Sequence, residues 1–328
     1  MRLPISWACA RRQCHVRPEM RGWVLALAVL FQAAWMSDAS ARVLEVGRGK
    51  PYPTPSAAAA LAESGDTVRI APGRYRDCAI WRAHDLVIEG TGARPEDVEI
   101  ADLPCSGVAL FITVGDRITV RNLTWARAKV PNDNGAGIRA KGADLTVERV
   151  IFRDNENGIL GEPNPLSVVT IRDSVFERNG VCTHACAHGI YFNLVKLLRV
   201  ERCRYVGQRA GHHIKSRAAR TEIIDNDIVD GPSGTASYLI DIPYGGDVLI
   251  RGNRMSKGPR SENTSTAIML GAEGVKNVTR DIRIEDNRFE NAVGRVTAFV
   301  DNRTGVAAIL SGNTMTGPVE MLRVSPPT

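Results

Sequence analysis

ITVRNLTW (residues 118–125) returns seven times, as LTVERVIF (145–152), VTIRDSVF (169–176), LRVERCRY (198–205), TEIIDNDI (221–228), VLIRGNRM (248–255), IRIEDNRF (282–289) and ILSGNTM (309–315). Each copy alternates apolar and polar residues with period two, is rich in Val and Ile, and closes on Asn, Asp or Gly, the pattern of a strand followed by a turn. A second strand follows after a short polar stretch: GAGIRAKG (135–142), NGILG (157–161), AHGIYFN (187–193), GHHIKSRA (211–218), SYLIDIP (237–243) and TAIMLG (266–271). Nothing helical recurs between them. Two or three short strands per repeat predict an all-β solenoid in which like positions of successive coils become neighbours, about 4.8 Å apart.

Working outward, PTPSAAAALAESGD (53–66) predicts one short Ala-rich helix capping the N-terminal end, and GDTVRIAPGRY (65–75) starts the first coil. With the repeated turn Asn residues, these segments resemble the right-handed parallel β-helix, or pectin-lyase-like, superfamily over residues 43–325. More narrowly, HGIYF, GHHIKSRAART, GTASYLIDIPYGG and the AEG of GAEGVKN resemble a bacterial exported β-helix group of poorly defined biochemistry. The resemblance implies a single-stranded right-handed parallel β-helix domain over residues 42–328. The superfamily's characterised members include pectate, alginate and chondroitin lyases, uronan epimerases, polygalacturonases and phage tailspikes, and fold alone does not choose among them.

The chain has 328 residues, 44% hydrophobic and 24% charged, too apolar for disorder and long enough for a sizeable core. No apolar run reaches the roughly 18 to 20 residues that span a bilayer. The longest, Trp23 to Met36, follows Arg21 and precedes Ala39-Ser40-Ala41, a small-x-small cleavage site, so residues 1–41 read as a secretory signal peptide. The 19 residues ahead of Met20 are odd for a leader, which points to Met20 as the start. The mature protein is then periplasmic or secreted, monomeric and without a membrane span. Removing 1–41 takes away five Arg and two acidic residues, lowering the net charge from +6 to +3, too mild for a nucleic-acid partner. Five Cys remain (78, 105, 182, 186 and 203), and an exported compartment permits disulfides. Cys182 with Cys186 is the expected pair. The alternating run Cys182-x-His184-x-Cys186-x-His188 is the competing zinc reading, at a spacing outside the common zinc patterns.

Four of the five mature His (184, 188, 212 and 213) fall in two adjacent repeats. Taking Ile138, Ile159, Ile190, Ile214, Ile240 and Ile268 as inward, the next residues form an outer column: Arg139, Leu160, Tyr191, Lys215, Asp241, Met269. Tyr191, Lys215 and Asp241 should stand one above another. Asn193, Arg217 and Pro243 continue that face, His213 precedes Ile214 on it, and His188 and His212 stack inward. A one-residue slip would reverse every assignment. The turn residues Asn122, Asn226, Asn253, Asn287 and Asn313 recur in coil after coil and read as structural, since Asn tolerates left-handed backbone and stacked amides can bond between coils.

Tyr, Lys, Arg and His together suit elimination from a uronic acid. The C5 proton becomes abstractable once its carboxylate is neutralised, after which a base removes it. Lys215, Arg217, Tyr191 and His213 are the expected catalytic residues, and Asp241, Asn193, Arg139 and Tyr244 the expected substrate contacts. With Asp241 the one nearby carboxylate, a hydrolase is disfavoured. An acidic polysaccharide is the expected partner, and a uronan lyase or a C5-epimerase equally fits. The alternatives are a non-catalytic glycan-binding or envelope-structural protein, and an ordinary Lys215–Asp241 surface salt bridge. No cofactor or metal is expected: calcium, used by many lyases of this fold, has no identifiable carboxylate cage.

Overall fold

The computed structural model describes residues 41–327. The expected leader, apart from Ala41, lies outside the described residues. The chain winds through three parallel sheets of 11, 10 and 10 strands, visiting sheets 1, 2 and 3 in turn on every coil from Thr67 onward. Each strand pairs with its equivalents one coil before and after. Thr146–Glu148, for example, lies between Thr119–Arg121 and the end of Asn164–Arg172. The solenoid starts one strand earlier than expected, because Val43–Val46 pairs in parallel with Thr67–Ile70. The cap is a single short helix, Pro55–Ala59, whose first turn is closed by Thr54 accepting from the Ala57 N–H at 3.3 Å.

Each quoted repeat copy holds a corner between two strands. In ITVRNLTW, Thr119–Arg121 belongs to sheet 1 and Thr124–Ala126 to sheet 2. The corner needs one left-handed residue per coil: Asn122, Arg149, Asp173, Arg202, Asp225, Gly252, Asp286 and Gly312 all have φ between 47° and 69°. The other four turn Asn follow that residue instead of occupying it. Their side-chain oxygens accept backbone N–H groups from coil to coil, the Asn226 N–H on Asn253 Oδ1 at 2.9 Å, Asn253 on Asn287 at 3.0 Å and Asn287 on Asn313 at 3.0 Å. Cys203 continues this column, its N–H donating to Asn226 Oδ1 at 2.8 Å. Burial pushes its thiol up to about 12, so it is inert at neutral pH.

The last residue of each copy points inward on sheet 2. Trp125, Phe152, Phe176 and Tyr205 stack at centroid spacings of 5.0, 5.0 and 4.5 Å, a ladder of rings at the spacing of the coils. The sulfurs of Cys182 and Cys186 are paired, and a second disulfide, Cys78–Cys105, links neighbouring coils at a Cα separation of 5.3 Å. No helix among the described residues is long and apolar enough to cross a membrane.

Candidate functional site

Sheet 3 builds the site. Tyr191, Lys215 and Asp241 are register partners on three successive strands, Ile190–Phe192, Ile214–Ser216 and Ile240–Ile242, with the three Ile facing the core. Alternation therefore turns these three polar side chains to the outer face. They are not left open to solvent: the side chains of Lys215 and Asp241 are 10% and 4% exposed. Lys215 Nζ reaches Asp241 Oδ2 at 3.1 Å and Glu273 Oε1 at 2.7 Å. The other Glu273 oxygen takes an Arg217 N–H, and a second Arg217 N–H meets the Tyr191 hydroxyl. Arg217 also lies over the Tyr244 ring at 4.5 Å, and Lys276 Nζ donates to the Tyr244 hydroxyl at 2.8 Å.

The histidines fall differently from the expected alternation. Gly189 and Ile190 both donate their N–H groups to the next coil, to His212 O at 2.9 Å and His213 O at 3.0 Å. Consecutive N–H groups of an extended strand point opposite ways, so the pleat is broken at this corner. The break puts His213 inside, at 1% exposure, where it bonds Asp230 at 2.8 Å and abuts the Tyr205 ring. His213 is therefore removed from the site. His188 and His212, expected inward, stand beside the cluster instead. Their rings stack at 4.8 Å, His212 stacks on Tyr238 at 4.9 Å, and His212 Nε2 is 3.4 Å from Asp241 Oδ2.

The same corner fixes the imidazole tautomers. His188 Nδ1 accepts the His212 N–H at 3.0 Å, and His212 Nδ1 accepts the Tyr238 N–H at 3.1 Å, so a neutral ring carries its proton on Nε2, toward the site. Asn157 does the same job one coil earlier, its Oδ1 accepting the His188 N–H at 2.9 Å. Burial, with Lys215 and Arg217 nearby, holds the His188 ring down to about 3, and burial with His188 holds His212 well below the usual imidazole range. Both are neutral across ordinary pH.

Burial raises Asp241 to about 6, against the pull of Lys215, and its Oδ1 is buried without a hydrogen-bond partner among the described residues. Burial alone would lower Lys215, but Asp241 and Glu273 outweigh it and hold the ammonium above its ordinary value. Burial raises the Tyr191 phenol, with Arg217 and Lys215 opposing. Asp241 and Glu273 thus hold Lys215 as a positive charge, which makes it a poor base.

Two expected contacts sit apart. Arg139 shares the column, but Leu160 separates it from Tyr191 and its guanidinium bonds Glu162 at 2.9 Å. Asn193 Oδ1 accepts the N–H of the next residue, Leu194, at 3.1 Å. The residue missed by the column reading is Glu273. It lies outside every repeat, on the loop between Thr266–Leu270 and Ile282–Glu285, and so the expectation of a lone carboxylate is corrected. That loop is fastened to the preceding coil's IPYGG turn, with Glu273 N–H on Pro243 O at 3.1 Å and Lys276 N–H on Tyr244 O at 3.0 Å. The turn needs its glycines: Gly245 and Gly246 have φ of 68° and 101°, and a Cβ on Gly246 would meet Ala219 O at 2.6 Å. Among the described residues no cluster of three or more His, Cys, Asp or Glu is arranged to hold a metal.

A family model described as the right-handed β-helix region matches residues 169–321, which include the whole site from Tyr191 to Glu273. The fold is a right-handed parallel β-helix. Among solved structures, this β-helix is similar to the pectin methylesterase of Aspergillus niger, at 14% identity and TM-score 0.50, over 85% of this chain and 89% of that one. Escherichia coli YbhC (15% identity, TM-score 0.45, 77% and 75% covered) and pectin methylesterase PemA of Erwinia chrysanthemi (12%, 0.41, 67% and 80%) are further neighbours. At these identities the likeness is one of fold. No curated protein matches the chain.

Proposed function

We propose that this β-helix is exported and acts on an acidic polysaccharide laid across the outer face of sheet 3. Lys215 and Arg217 would bind a uronate carboxylate and Asp241 would exchange the proton on the neighbouring carbon. The observation that supports this is the pairing of two cations, already bridged by one carboxylate, with a buried aspartate raised to about 6. Binding the carboxylate between an ammonium and a guanidinium acidifies C5, and Asp241 Oδ1 has a free lone pair to receive its proton. Tyr191, bonded to Arg217, is the complementary acid. Elimination and C5-epimerisation share these steps and differ in whether the leaving oxygen departs or a proton returns to the opposite face.

Hydrolysis is the second reading, because Asp241 and Glu273 meet on one ammonium and supply the two carboxylates such chemistry uses. One experiment separates the outcomes. Polygalacturonate is the first polymer to offer, with and without methyl ester since pectin methylesterases share the fold, followed by alginate and glycosaminoglycans. Ultraviolet absorbance near 235 nm reads unsaturated uronate, reducing ends read hydrolysis, and proton exchange at C5 reads epimerisation. A base must be deprotonated, so kcat/KM should be lost as the pH falls through about 6, and Asp241→Asn should lower kcat at least about 100-fold. Silence in all three assays, with binding that Lys215→Ala abolishes, leaves a glycan-binding protein.

A further inference from the structure

The Glu273 carboxylate lies in the place that a ligand carboxylate would take. One oxygen accepts from the Lys215 ammonium at 2.7 Å and the other from the Arg217 guanidinium, a two-point grip that a uronate would reproduce atom for atom. We propose that Glu273 is a built-in occupant of the carboxylate seat, and that an acidic sugar binds by displacing it. The inference rests on the reading that this site takes uronates, and adds to it how the seat is kept and what may enter.

Three observations carry it. Glu273 stands on a loop whose backbone is bonded to the Pro243–Tyr244 turn, so opening the seat needs a rotation of one side chain, itself 34% exposed, and no movement of the fold. Its departure leaves Lys215 on Asp241 at 3.1 Å and Arg217 on the Tyr191 hydroxyl and the Tyr244 ring, so Arg217 then lacks a carboxylate partner until a ligand supplies one. With Glu273 in place the Lys215 side chain is a tenth exposed, so the seat is closed to anything that does not compete for it. An incoming carboxylate restores the charge balance that Glu273 supplied, whereas a neutral sugar offers nothing in exchange. Glu273 therefore acts as a filter for acidic ligands and lowers their apparent affinity by the fraction of molecules in which the seat is free.

The test measures galacturonate trisaccharide binding by calorimetry, with its carboxyl-reduced counterpart as control, and maps Lys215 acetylation by mass spectrometry. The full mature chain is used as wild type, Glu273→Ala, Glu273→Gln and Lys215→Ala. The expected result is about a tenfold or greater gain in affinity for Glu273→Ala and a smaller gain for Glu273→Gln, with Lys215 acetylated several-fold faster in both. The reduced sugar should bind none of them, and Lys215→Ala should not bind the trisaccharide. Unchanged or weaker binding by both Glu273 variants, with Lys215 still protected, overturns the proposal while Lys215-dependent binding by the wild type leaves the functional reading standing. Faster acetylation without uronate binding to any variant overturns both.

Discussion

Sheets 1 and 3 present outer columns built by the same register rule and used differently. On sheet 1 the pairing aligns Glu45, Arg69, Glu89, Arg121, Glu148, Arg172 and Glu201, a strict alternation of charge over seven coils. Each arginine of the column pairs with a glutamate above or below it, and the arginines remain in water: Arg69, Arg121 and Arg172 are 41 to 45% exposed. On sheet 3 the column Tyr191, Lys215, Asp241 mixes types, takes Glu273 of the GAEGVKN loop onto Lys215, and is almost wholly desolvated at Lys215 and Asp241. Similar ions at similar spacing therefore have different electrostatics. Water screens the first column into a solubilising surface, whereas burial raises one carboxylate of the second to about 6. Desolvation, more than the identity of the ions, distinguishes the site from the ladder.

The sharpest way to break this comparison is to remove one cation from each column. Lys215→Ala should abolish polyuronate binding and cost about 3–5 kcal/mol in urea unfolding at pH 8, because it leaves Asp241 buried without its main partner. The cost should shrink as the pH falls and Asp241 takes up a proton. Next is the histidine stack. The native state holds His188 and His212 neutral while the unfolded chain protonates them near 6.5, so the folded state binds fewer protons and stability declines as the pH falls from about 6.5 toward 3. The slope is up to about 1.4 kcal/mol per unit for each ring. His188→Asn keeps the acceptor that Asn157 supplies one coil earlier, and should flatten that acid limb in a pH series of melting curves. Asn253→Ala should cost about 2–3 kcal/mol, since it removes the acceptor of the Asn226 N–H and a donor to Ile223 O inside the corner. Arg121→Ala, in the exposed ladder, should cost no more than about 1 kcal/mol and leave ligand binding unchanged.

Much of this was legible in the sequence. Period-two alternation and the spacing of ITVRNLTW and its copies predict the solenoid, and aligning the Ile residues places Tyr191, Lys215 and Asp241 in one column. What escaped lies where the period stops. At the corner before Ile190 and Ile214 the pleat breaks, and extrapolating alternation across it exchanges His213 for His188 and His212. Glu273 sits in a loop where no column applies. Its single sequence signal was the AEG of GAEGVKN, which the resemblance picked out without giving a role. The Cys78–Cys105 bridge did have a signal, since the 27-residue separation is one repeat length and makes the two residues neighbours on adjacent coils.

The central claim is that the outer face of sheet 3 around Lys215 holds the carboxylates of an acidic polysaccharide. The direct measurement is calorimetric titration of galacturonate oligosaccharides into the wild type, Lys215→Ala and Arg121→Ala at low salt and again at high salt. The account predicts saturable binding that weakens with salt, survives Arg121→Ala and disappears in Lys215→Ala. Binding that persists in Lys215→Ala, or that Arg121→Ala weakens as much, would contradict it.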